Sequence, residues 1–164
     1  MGIDRDNGAP NEEEPTKDLG IGRDLLVQGD IPAAIKHLCR AFEASTGDPE
    51  AMSWYGLALA KGGVDRLRGV VLCEAALRKA AHRPLPELYH NLGQAYLVVE
   101  YRAQAADVLR QGASRFPEHE GLMRTLVDMG LRRRPVLPFL SRRNPVNKYL
   151  GLLRHRLLAR SQKE

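Results

Sequence analysis

Tyr89-His90-Asn91-Leu92-Gly93-Gln94-Ala95-Tyr96, followed by Ala105, Leu109 and Pro117, is the stretch whose reading decides the fold of this chain. Working outward from Gly93, Gly56 lies 37 residues earlier and Gly22 a further 34. Downstream of each glycine a second segment repeats one spacing: Ala34-x3-Leu38-x2-Ala41, Gly69-x3-Cys73-x2-Ala76 and Ala105-x3-Leu109-x2-Gly112. Each triad is small, large, small at i, i+4, i+7, one face of a helix. Small residues let the two helices of a hairpin approach closely, and the large residue fills the gap between layers, because packed interiors tolerate few voids.

As a pattern the stretch is Tyr-x2-Leu-Gly-x2-Tyr, then Ala, three residues, Leu, and a closing Pro. It resembles a tetratricopeptide repeat with an aromatic swap at its first position, a family whose period is about 34 residues. The 34-residue spacing fits that period, and the 37-residue spacing carries three extra residues, which fall in Arg83-Pro84-Leu85-Pro86. The third repeat is the best copy. The first keeps Gly22, Gly29-Asp30, Ala34 and Ala41 but has Asp18 where the family usually has Trp. The second keeps Gly56, with Met52 at that place and Gly69 where Ala is usual. The likeness runs roughly from Pro15 to His119. It implies an all-α fold, a right-handed superhelix of about three helix hairpins closed by a C-terminal capping helix. It also implies that the chain holds another protein and performs no chemistry.

In that family the first helix of each repeat lines a concave groove. Carried over position by position, the groove presents Leu19, Arg23, Leu26 and Val27 from repeat one. Repeat two supplies Ser53, Leu57, Ala60 and Lys61, and repeat three His90, Gln94, Leu97 and Val98. The surface is mostly apolar with two cations and suits an amphipathic helix or an extended apolar peptide. Leu19 and Leu57 stand where a carboxylate clamp wants polar residues, which disfavours capture of a C-terminal carboxylate. A neighbouring helix of the same chain filling the groove is the competing expectation.

The elements follow from their start and stop signals. Helices are expected over about Thr16–Gln28, Ile31–Ala44, Pro49–Lys61, Asp65–Ala81, Pro86–Val99, Arg102–Arg115 and Glu118–Leu131. Asp48-Pro49 is a cap followed by a proline suited to the first helical position. Residues 1–14 hold one Arg and five acids, a net charge of −4, and are expected to be a disordered acidic tail. Residues 15–131 form the repeat domain, and its part to residue 130 is neutral, with 14 basic and 14 acidic groups. Residues 131–164 hold ten basic groups and one acid, a net +9. The overall charge of +5 is therefore a property of the C-terminal end.

That end divides into a basic, proline-containing linker, 132–144, and an amphipathic helix, 145–164. Its basic patch comprises Arg132, Arg133, Arg134, Arg142, Arg143, Lys148 and Arg154. Tyr149, Leu150, Leu153, Leu157 and Leu158 form the apolar stripe of a helix that covers the last layer of a solenoid, as repeat arrays require at their ends. Contact with an anionic membrane surface or an acidic protein partner stands beside that reading. Nucleic acid is disfavoured, because the segment has only Phe139 and Tyr149 as aromatics and no known binding motif. Pro135-Val136-Leu137-Pro138 has the spacing of a P-x-x-P ligand, but the preferred reading is a rigid linker.

Other classes are disfavoured. No run of 18 apolar residues spans a membrane, and the acidic start is unlike a secretory signal. Cys39 and Cys73 are expected as buried free thiols rather than a disulfide or a zinc site. His37, His82, His90, His119 and His155 are scattered and form no metal pair, and no phosphate loop or nucleophile elbow occurs. No enzyme activity, metal or cofactor is expected. The chain reads as a small cytoplasmic adaptor or scaffold. The alternatives are a membrane- or nucleic-acid-associated factor acting through the basic end, and a homo-oligomeric subunit.

Overall fold

Acidic caps and prolines set the helix starts. The carboxylates of Asp30, Asp48 and Asp65 accept from the backbone N–H of Ala33 (3.2 Å), Ala51 (2.9 Å) and Arg68 (2.9 Å), satisfying first-turn donors that have no partner within the helix. Pro32 and Pro49 lie in the first turns that follow Asp30 and Asp48. Gly29 and Gly63 close the preceding helices at φ of 90° and 71°, in the left-handed region where a side chain is strained.

The computed structural model describes residues 13–45 and 47–130. Among them are seven helices and no strand: α1 Glu13–Gln28, α2 Ile31–Ala44, α3 Pro49–Gly62, α4 Arg66–Lys79, α5 Pro86–Val98, α6 Arg102–Arg115 and α7 Glu120–Asp128. All seven belong to a unit ending at Met129. Helix α1 begins three residues ahead of the expected Thr16, because Pro15 falls in its first turn, where a missing N–H costs nothing. Helix α7 is shorter than expected at both ends. His119 caps it through Nδ1, which accepts from Leu122 N at 3.2 Å, and Gly130 leaves it at a φ of 72°. The expected segments 132–144 and 145–164, and the acidic stretch before Glu13, lie outside the described residues.

Packing follows the order of the chain. The hairpins α1/α2, α3/α4 and α5/α6 pack internally, and each second helix touches the first helix of the next hairpin, as does α6 with α7. First helices also meet one another, α1 with α3, α3 with α5, and α5 with α7. Among the described residues no helix reaches beyond its second neighbour in the chain. Such an array gains its stability locally, hairpin by hairpin and interface by interface.

The three small-large-small triads are the second helices' contribution to the core, and all nine of their residues are buried. A methyl on Gly22 would lie 2.5 Å from Leu38 Cγ, and one on Gly93 would lie 2.5 Å from Leu109 Cγ. In both hairpins, then, a leucine of the second helix inserts over a glycine of the first. The middle hairpin solves the problem differently. Cys73 is smaller than leucine, and Gly69 stands where the others have alanine, so the α3 and α4 backbones themselves meet. A methyl on Gly56 would lie 2.7 Å from the Gly69 carbonyl oxygen, and one on Gly69 would overlap the Gly56 carbonyl oxygen and lie 2.8 Å from Ala60 N.

The two thiols are both free but unlike. Cys73 is fully buried, donates to the Ser53 carbonyl at 3.3 Å, and has its pKa pushed up to about 12 by burial. Cys39 is only half-buried and donates to Glu43 Oε1 at 3.3 Å, so it is not the core thiol expected from sequence. Only the thiolate is nucleophilic. With a disulfide reagent at neutral pH, one thiol per chain is expected to react in the native protein, and the second only in denaturant. A Cys39→Ser variant should be inert until unfolded, and fast native labelling of that variant would contradict the packing of α3 on α4.

Candidate functional site

Where first helices pack on one another, the expected groove closes. Leu26, Ser53, Leu57 and Ala60 are all buried, Ser53 and Ala60 completely. These four are core residues and offer no side chain to a ligand, because α1, α3 and α5 cover one another. Ser53 Oγ accepts instead from Asn91 Nδ2 at 3.2 Å across the α3–α5 contact. Arg23 is held within the chain: Nη1 donates to Glu50 Oε1 at 3.0 Å, and the guanidinium lies 5.1 Å from the centre of the Trp54 ring. Leu19 is half-buried, and Val27, 81% exposed, stands free at the end of α1. Lys61 reaches solvent, yet neighbouring atoms displace enough water to lower its pKa.

The third hairpin differs. His90, Gln94 and Leu97 follow one another at i, i+4, i+7 on α5 and form one wall of an open cleft of about 640 Å3. The opposite wall is α7, through Gly121, Arg124, Thr125 and Asp128, with Met129 just beyond and Arg102 contributed by the first turn of α6. Val98 is half-buried and lies outside the lining. Of the twelve expected groove residues, the structure therefore brings three together in a cavity. It adds six that were not anticipated. A signal for two of these was present: Arg124 and Asp128 follow His90 and Gln94 by 34 residues each, the repeat period, but Val127 occupies the place of the anchor glycine. The basic patch Arg132, Arg133, Arg134, Arg142, Arg143, Lys148 and Arg154 lies outside the described residues.

His90 fixes how the two walls meet. Its Nε2 lies 3.0 Å from Thr125 Oγ1, and Thr125 donates its hydroxyl proton to the Gly121 carbonyl at 2.9 Å. Gln94 Nε2 lies 3.1 Å from the same His90 Nε2 and 3.4 Å from Nδ1, so the amide on α5 and the hydroxyl on α7 both close on the imidazole. The His119 ring stands edge-on, its centroid 5.7 Å from that of His90. A methyl on Gly121 would lie 2.9 Å from His90 Cε1 and 3.0 Å from His119 Cε1, so the absence of a side chain there admits both rings.

Burial is the largest cause that lowers the His90 pKa to about 4, with the nearby His119 and Lys61 charges adding to it and Glu87 opposing. The fold thus holds a neutral imidazole. Because the folded pKa lies below the unfolded one, the unfolded chain binds the extra proton first. Stability from this group is complete above about pH 6.5 and is lost as pH falls to about 4. At about 1.4 kcal/mol per pH unit the loss reaches up to about 3 kcal/mol. Carboxylates titrate in the same window, so the readout is the difference between wild type and His90→Gln in urea unfolding. That difference should shrink as the pH is lowered; parallel curves would show that His90 is not held neutral.

No family model matches the chain, and no curated protein matches it. The site therefore rests on its own geometry. No helix among the described residues is long and apolar enough to cross a membrane.

Proposed function

We propose that this protein is a cytoplasmic adaptor that acts by binding, its helix hairpins continuing as a right-handed superhelix like that of tetratricopeptide repeats. The α5/α7 cleft would receive a peptide or helix of a partner protein. The reading is supported by the insertion of a leucine over a glycine in the first and third hairpins, by packing confined to near neighbours, and by the three-repeat spacing in the sequence. The observation that carries it is the cleft itself. It is concave, lies on the face made by first helices, and combines apolar groups, Leu97 and Met129, with a few convergent polar ones, the usual composition of a recognition site.

Affinity capture tests this with the full-length chain as bait, wild type beside Leu97→Asp, each washed at low and high salt. Partner retention by wild type at high salt and loss by Leu97→Asp is the expected result. Equal retention by both would place binding elsewhere. Capture that disappears at high salt for both would point to an electrostatic contact instead, the basic C-terminal segment being the obvious source.

A further inference from the structure

Charge within the cleft narrows the partner's chemistry, given the reading of this cleft as a binding site. Arg102 and Arg124 line it from two different helices. Neither forms an ion pair with a described residue, whereas Arg23, Arg78 and Arg110 are each matched to a carboxylate. Among the described residues Asp128 is the only carboxylate in the lining, and it makes no ion pair with either arginine within 4.0 Å. The described lining is thus left with one positive charge in excess. His90 adds none, since its imidazole is neutral and its nitrogens face Thr125 and Gln94. The apolar lining consists of Leu97 and Met129.

We infer that the cleft recognises a carboxylate side chain carried next to an apolar residue in the partner peptide, with Arg102 and Arg124 as the acid's hydrogen-bond donors and Leu97 and Met129 as the apolar seat. A guanidinium offers paired N–H donors in a plane that matches a carboxylate, which gives direction as well as attraction. A single excess charge suits a monoanion. A phosphate, close to a dianion at neutral pH, would be repelled by Asp128.

The test uses random twelve-residue peptides displayed on phage and selected on the full-length protein. Enriched sequences are then synthesised with amidated C-termini, which removes terminal carboxylates, and their affinity is read by fluorescence polarisation. Enrichment of Asp or Glu beside Leu, Ile, Met or Phe is expected. Arg102→Glu and Arg124→Glu should each weaken binding at least about ten-fold, and Arg110→Glu, outside the cleft, should leave it unchanged. Exchanging the peptide's acid for its amide should cost as much as either reversal. Peptides that need Leu97 but carry no acid, or affinities indifferent to both reversals, would overturn the inference while leaving the adaptor reading standing. A phosphorylated peptide preferred over its acidic counterpart would overturn it as well. Failure to select any peptide would remove both.

Discussion

Valine at position 69 is expected to destabilise the protein by at least about 3 kcal/mol, the upper range for overpacking a close helix contact. Even one methyl there would overlap the Gly56 carbonyl oxygen and crowd Ala60 N and Cβ. These neighbours are backbone or the first atom of a side chain, so no rotamer change relieves the clash. Helices α3 and α4 must move apart, and the opening is transmitted to α5, which packs on both. Gly20 provides the control. It lies inside α1, and a methyl added to it meets nothing within 4 Å. Gly20→Ala should therefore stabilise by about 0.5–1 kcal/mol, the ordinary difference between these residues in a helix. Urea unfolding of the two variants measures both signs. A Gly69→Val protein within about 1 kcal/mol of wild type would mean that the middle hairpin does not close backbone to backbone.

The second large effect is expected from the opposite change. Leu109→Ala removes a fully buried side chain that sits directly over Gly93. A large-to-small change in a core costs the lost transfer energy and a cavity, about 3–5 kcal/mol when the site cannot collapse. Collapse is limited here because the facing residue is a glycine and has no side chain to move into the space. A thermal midpoint lowered by roughly 10 °C is expected for a domain of this size. Leu109→Met, which preserves volume, should cost less than about 1.5 kcal/mol. Similar midpoints for the alanine and methionine variants would show that Leu109 is not the keystone of the third hairpin.

Much of this fold was legible in the sequence because it depends on local spacing. Ala34, Leu38 and Ala41 and their two counterparts stood out as one helix face, and all are buried. All seven helix starts fall within about three residues of those expected, since helix starts are decided largely by neighbours in sequence. The site was harder to read. Transferring groove positions one repeat at a time treats every first helix alike, but burial depends on what lies on either side. Helix α3 has first helices on both flanks, so Ser53, Leu57 and Ala60 are covered. Helix α5 has only the short α7 beyond it, and its His90, Gln94 and Leu97 remain open to a cleft. The six-residue extension of the lining, Arg102 among it, depends on how α7 meets α5, a tertiary contact that no single helix pattern encodes. The Ser53–Asn91 hydrogen bond joins residues 38 apart and is of the same kind.

Amide chemical-shift mapping on isotope-labelled full-length protein tests the binding cleft most directly, with the captured partner's binding segment as titrant. The expected result is a set of shifts concentrated on residues 90–102 and 121–129, lost in Leu97→Asp. Shifts confined to the outward faces of α2 and α4, or to the segment after Met129, would contradict the cleft as the site.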